Sequence, residues 1–200
     1  MSAIKSASPK SSRRPDQRGV AAVEFALVAM IFFTIVFGII EVTRALYICI
    51  TLQEVTRQAA ARATNTDFTD GTALQRVRER AIFRDSPGGL LFAQPISDQH
   101  INIDYLRLHR CCGTMSIERI PEASLPDSPE ANHANCTRNP YGESCIRLVR
   151  VRVCQEGSGA TCTPVPYQTL TSFLVLAFGL PRSETITQAE TLGLASASPP

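Results

Sequence analysis

The feature that most constrains this chain is an apolar run from Val20 to Ile40, twenty-one residues whose only charge is Glu24. At 1.5 Å of rise per residue, a helix of that length covers about 30 Å, the thickness of the hydrocarbon core of a bilayer. A buried helix in a soluble domain would show a polar face over that distance, and this run shows almost none. It reads as a membrane span. Residues 1–19, MSAIKSASPKSSRRPDQRG, are rich in Ser and Pro and hold Lys5, Lys10, Arg13, Arg14 and Arg18 against the single acid Asp16. Such a stretch buries no core and reads as a disordered basic tail. Its charge predicts that it stays cytoplasmic while the C-terminal bulk lies on the other side. A cleavable secretory signal fits less well, because its apolar stretch is usually only ~7–15 residues long. Directly after Ile40, moreover, Glu41 to Thr66 continues without Pro or Gly.

Glu24 is the anomaly within the run. A carboxylate near the centre of a bilayer costs about 2.5–3.5 kcal/mol on insertion scales. Placed in the first turns of the span, it reaches the interface more cheaply by snorkelling. A cut between Gly19 and Val20 changes its setting altogether. Val20 would then carry a free α-amine, which ordinarily titrates near ~7.7–8.0. Val20 and Glu24 are i and i+4, hence neighbours on one helical face, and Glu24 lies near the positive end of the helix dipole. One cleavage therefore makes a cation suited to the acid, on its own helix or on a neighbour's.

The tract RGVAAVEFALV, Arg18 to Val28, set behind a basic leader, resembles the class III signal of type IV pilins and pseudopilins. It is similar in particular to the TadE-like minor pilins of tight-adherence (Tad) pilus systems. The resemblance implies that a prepilin peptidase cuts after Gly19, leaving Val20 as the first mature residue. It implies that Glu24 and Phe25 are the determinants of processing and assembly at the mature end. It further implies residence in the bacterial inner membrane, with the N-terminus cytoplasmic and a small C-terminal domain periplasmic, until assembly draws the protein into or beneath a pilus. The expected partners are the peptidase, other pilins or pseudopilins, and Tad assembly components. The competing reading is an uncleaved single-pass protein that presents a disulfide-bonded binding domain to the periplasm.

Beyond Ile40 the helical pattern persists: Val42, Ala45, Cys49, Leu52, Val55, Ala59 and Ala63 recur every three or four residues. Glu41, Arg44, Gln53, Glu54, Arg57 and Arg62 are expected on other faces. The chain thus divides into a leader at 1–19, a span at 20–40, an amphipathic extension at 41–64 and an outer domain at 65–200. Ala73, Leu74, Val77, Ala81 and Ile82 predict a second helix, stopped by Pro87-Gly88-Gly89, with Arg76, Arg78 and Arg80 on a solvated face. Strands are predicted at His100–Leu108, at Ile146–Val153 with Arg150 and Arg152 on a wet outer face, and more weakly at Thr185–Leu192. Thr169 to Leu180, which contains SFLVLAFGL, is too short for a second span and reads as a core segment. Pro121 to Pro140 reads as a long cysteine-anchored loop. The fold class expected is α+β, a long N-terminal helix packed on a small disulfide-bonded antiparallel sheet.

Of the seven cysteines, Cys111, Cys112, Cys136, Cys145, Cys154 and Cys162 all lie in the outer region. An even set beyond a membrane predicts up to three disulfides in an oxidising compartment, in a pairing that sequence leaves open. Cys111 and Cys112, being adjacent, are expected to bond to two different partners. His100, His109 and His133 offer no zinc-ligand spacing with them, so no metal and no cofactor is expected. The membrane separates the outer arginines from nucleic acid. No nucleophile–base pair, paired-carboxylate constellation or phosphate loop stands out, and the chain reads as a non-enzyme with its histidines on surfaces or loops.

Overall fold

The computed structural model describes residues 18–170 and 179–194. The basic leader up to residue 17 and most of the predicted core segment at 169–180 lie outside the described residues. Two compact units divide the chain, one ending at Ile40 and the other beginning at Glu41.

Helix α1 runs from Arg18 to Ala63, 46 residues. In the first unit its larger apolar side chains are exposed, Phe25 to 75% and Met30 to 70%. The hydroxyl of Thr34 is satisfied by donating to the Met30 carbonyl at 2.8 Å, as an apolar surround requires. The helix is long and apolar enough to cross a membrane, and none of its apolar window is buried.

The second unit is built on the remainder of α1. Ile48, Leu52, Val55, Ala59, Ala60 and Ala63 are all fully buried and belong to one hydrophobic cluster. Each larger side chain contributes about 1.5–3 kcal/mol by leaving water. The stripe is rotated at its near end from the expected one: Glu41 and Ile48 are buried, whereas Val42 is exposed. Polar side chains turning back on the last carbonyls end the helix, Thr64 onto Ala61 at 2.9 Å and Thr66 onto Arg62 at 2.8 Å.

Asp70 caps helix α2, Gly71–Ala81, by accepting from the amides of Thr72 and Ala73 at 2.9 and 3.0 Å. Leu74, Val77, Ala81 and the following Ile82 turn inward. Arg76 and Arg80 are exposed, but Arg78 is half-buried and donates to the Ile101 carbonyl at 3.3 Å. The sheet comprises β1 (Ile101–Cys111), β2 (Thr114–Arg119), β3 (Leu148–Val153) and β4 (Glu184–Gln188), antiparallel throughout in the order β2-β1-β3-β4. Ile101, Ile103 and Tyr105 stand opposite Val153, Val151 and Val149, and this face joins the α1 cluster. A hydroxyl contact from Thr185 to Thr56 at 2.9 Å ties β4 to the helix. Beyond β4, Gly193 has φ +86 and lies so close to Asp67 that a Cβ would sit 2.6 Å from its backbone, which only glycine permits.

One expectation is corrected here, and one strand is new. The stretch read as a loop contains helix α3, Pro129–Arg138, with Ser128 accepting from the Ala131 amide at 3.1 Å and proline in the first turn. Its apolar periodicity is weak, so only the Ser-Pro-Glu start marks it. Strand β2 also went unpredicted, because its residues are mostly exposed at the sheet edge and show no buried alternation.

Candidate processing segment and the clamp that follows it

Gly19 and Val20 lie in the first turn of α1, where the first four amides of a helix have no intrahelical acceptor. Nothing in the described chain approaches within 4 Å of the Cβ that Gly19 lacks. Gly19, Val20, Val23, Glu24 and Leu27 line one open surface, so the i and i+4 residues Val20 and Glu24 share a face. Glu24 is exposed, and Phe25 projects from the neighbouring face. The segment is thus an uncovered helical end whose apolar surface bears one carboxylate.

A second polar feature begins directly after the apolar run, at Glu41 and Arg44, which helical spacing puts off the apolar stripe. The Glu41 carboxylate is 1% exposed. It accepts from the Tyr167 hydroxyl at 2.7 Å and from the Leu170 amide at 3.3 Å, with the Arg44 guanidinium 3.6 Å away. Arg44 in turn donates to the carbonyls of Phe92 at 2.9 Å, Gln168 at 2.6 Å and Gln94 at 3.4 Å, and its guanidinium lies over the Tyr167 ring. Burial, reinforced by the bond to Glu41, holds the Tyr167 phenol above its usual range. The acid and base of this first outer turn therefore clamp two distant loops to α1. Their i, i+3 spacing was the available signal; their loop partners, some 50 and 125 residues on, were not legible.

A buried charge centre occupies the other sheet face. Asp104, 2% exposed, accepts from Arg119 Nε at 2.7 Å through Oδ1. Its Oδ2 accepts from Arg152 Nη2 at 2.7 Å and Arg150 Nη2 at 3.0 Å. Arg150 and Arg152 are thus inward partners of an acid rather than a wet basic face. In β1, Asp104 looked like an ordinary polar position of an alternating strand.

The six outer cysteines resolve into two bridges and a pair of thiols, while Cys49 on α1 is a separate free thiol. Cys136–Cys145 ties α3 to the approach to β3, and Cys154–Cys162 closes the turn after β3, each with Cα atoms 4.9 Å apart. Cys111 and Cys112 do not bond to separate partners; both are exposed thiols at the β1–β2 turn, with sulfurs 3.1 Å apart. Their exposed hairpin tip brings no other cysteine to them. Among the described residues no cluster of His, Cys, Asp and Glu is arranged to hold a metal. His133 is exposed and His109 half-buried, but His100 is buried, not at the surface. Its Nδ1 accepts from the Ser97 amide at 3.1 Å.

Residues 19–61 match the family model described as TadE-like protein. The matched stretch begins at Gly19, includes Glu24, Phe25, Glu41 and Arg44, and ends within the core-facing part of α1, before the sheet. No curated protein and no solved structure matches the chain.

Proposed function

We propose that this chain is a minor pilin or pseudopilin of a Tad-type pilus assembly or secretion system. The observation that carries the reading is the coincidence of the TadE-like match with an uncovered apolar helix that opens on Gly19, Val20, Glu24 and Phe25. A prepilin peptidase cuts between Gly19 and Val20, releasing the basic leader. The helix holds the protein in the inner membrane, leader inside and outer domain in the periplasm. Arriving subunits offer the Val20 ammonium and the Glu24 carboxylate to one another within the low-dielectric layer, where an unmatched charge is costly. The mature end is thereby read in register, and the outer domain is carried to other Tad components. This is a structural role, with no catalytic step assigned to the chain.

The test is Glu24→Ala in the host, with membrane fractionation and crosslinking to the other pilus subunits. The proposal predicts normal membrane insertion with loss of the crosslinked assembly. Undiminished assembly would contradict it and return Glu24 to the status of a tolerated charge in an anchor.

A further inference from the structure

The β1–β2 hairpin turns on a pair of thiols that no part of the fold employs. Cys111 and Thr114 are the last paired residues of the ladder, so Cys112 and Gly113 alone make the turn. Both have positive φ, +52 and +85, as the two central residues of a type I′ turn require. Asn, Asp or Gly ordinarily fills the first of these positions, and a cysteine takes up the left-handed conformation at a cost. The turn itself therefore gives no reason for a cysteine at 112, and an outlier of this kind points to what its side chain does.

The two sulfurs lie 3.1 Å apart, and both residues are exposed. Their separation is about 1 Å beyond a disulfide bond of ~2.03–2.05 Å and falls within the ~3–3.5 Å from which two positioned atoms react. Nothing in the described chain comes within 4 Å of the Cβ that Gly113 lacks, so the tip is open to a reactant. The four other outer cysteines are already bridged, and Cys49 is half-buried on α1. The sulfur chemistry of the pair lies with each other and with reactants from outside the chain.

We infer that Cys111 and Cys112 form a reversible dithiol–disulfide site, which exchanges with disulfide-bearing reactants and closes to a Cys111–Cys112 ring. A thiolate of the pair attacks one sulfur of an external disulfide such as oxidised glutathione. That S–S bond breaks, a mixed disulfide forms, and one glutathione leaves as its thiol. The neighbouring cysteine, deprotonated in turn, attacks the protein sulfur of the mixed disulfide, closes the ring and releases the second glutathione. The pair loses two electrons and two protons, and the external disulfide gains both. The closing step is intramolecular, so the mixed disulfide does not accumulate. Neighbouring Cα atoms stand only ~3.8 Å apart across a trans peptide, short of the ~4.4–6.8 Å usual for a disulfide. The ring is strained for that reason and opens more readily than Cys136–Cys145 and Cys154–Cys162, whose Cα atoms are 4.9 Å apart. The inference uses only residues of the second unit and holds whether or not the chain is a pilin.

Trypsin cuts after Arg110 and Arg119 and so releases both cysteines in the single peptide CCGTMSIER. The full chain in detergent micelles would be equilibrated in glutathione buffers of graded ratio, alkylated with N-ethylmaleimide and digested for mass spectrometry. Expected is a peptide lighter than the dithiol by two hydrogen atoms, which takes up no maleimide. Its equilibrium constant for reduction by glutathione should exceed that of either bridge at least tenfold, about 30 mV for a two-electron couple. Cys112→Ser, unable to close the ring, should instead carry one glutathione on Cys111. A wild-type peptide alkylated twice in every buffer would overturn the proposal. Glutathione retained on the wild-type peptide, or two copies of it joined in a crosslinked dimer, would overturn it equally, since either outcome leaves the ring unclosed. A ring that opens no sooner than the two bridges would overturn its reversibility and make it a third structural disulfide.

Discussion

Replacing Asp104 by Ala strips the buried carboxylate that Arg119, Arg150 and Arg152 share, leaving Arg119 its longer pair with the exposed Glu122 at 3.7 Å. At an effective dielectric of about 20, each close pair is worth about 4 kcal/mol of attraction, which desolvation of both partners offsets heavily. What remains on removing one member is the penalty of the orphaned charges, about 3–5 kcal/mol for a buried pair. Arg119 and Arg150 keep 32% and 21% of their side-chain surface exposed and can turn to solvent, so the lower end, about 3 kcal/mol, applies. For a domain of about 150 residues the unfolding entropy is about 0.3 kcal/mol per kelvin, which makes the expected fall in Tm about 10 °C. The assay is thermal unfolding of the full chain in detergent micelles, followed by protease susceptibility of the outer domain. Glu143→Ala, at a side chain 91% exposed, serves as the control that should not move. A fall of less than ~2 °C for Asp104→Ala would refute the assignment of Asp104 as the buried centre of this sheet face.

Burial depresses the His100 pKa, with Glu156 and Asp98 opposing it. The folded state therefore favours the neutral ring: its contribution is complete above the unfolded value of about 6.5 and is lost as pH falls toward the folded pKa. Melting the outer domain from pH 7.5 to 5 should show this slope, and His100→Gln should flatten it. Loss of the Cys136–Cys145 bridge, which closes a sequence separation of 9 residues, should cost about 2.6 kcal/mol in the chain-entropy account; a Cys136→Ser/Cys145→Ser double variant compared by the same melts measures it. Glu41→Gln keeps an acceptor for Tyr167 but removes the charge opposite Arg44, and faster proteolysis in the 88–97 and 164–170 loops than in the sheet is the expected result.

The long helix, the second helix and three of the strands were legible because each shows its own period: unbroken apolar residues in α1, three-four spacing in α2, alternation in β1, β3 and β4. Helix α3 was hidden because Pro129, Asn132 and Cys136 make a poor apolar stripe, and its hold on the domain comes from a bridge and from Asn132 Oδ1 accepting the Ile146 amide at 2.8 Å. Charged residues were the harder class. Periodicity assigns Glu41, Arg44, Asp104, Arg150 and Arg152 to polar faces, yet each has a partner remote in sequence that makes burial tolerable. Only the fold brings Tyr167 to Glu41 or Arg119 to Asp104. The proposed processing segment is a different case: Gly19, Val20, Glu24 and Phe25 lie close together at one helical end, so the sequence alone can nominate them without a remote partner within the chain.

The most direct test of the central claim is the N-terminal sequence and intact mass of the protein expressed with and without its host's prepilin peptidase. The account predicts a new N-terminus at Val20 that appears only when the peptidase is present. A chain that keeps its original N-terminus beside an active peptidase would contradict it, and would leave a membrane-anchored domain in place of a pilin subunit.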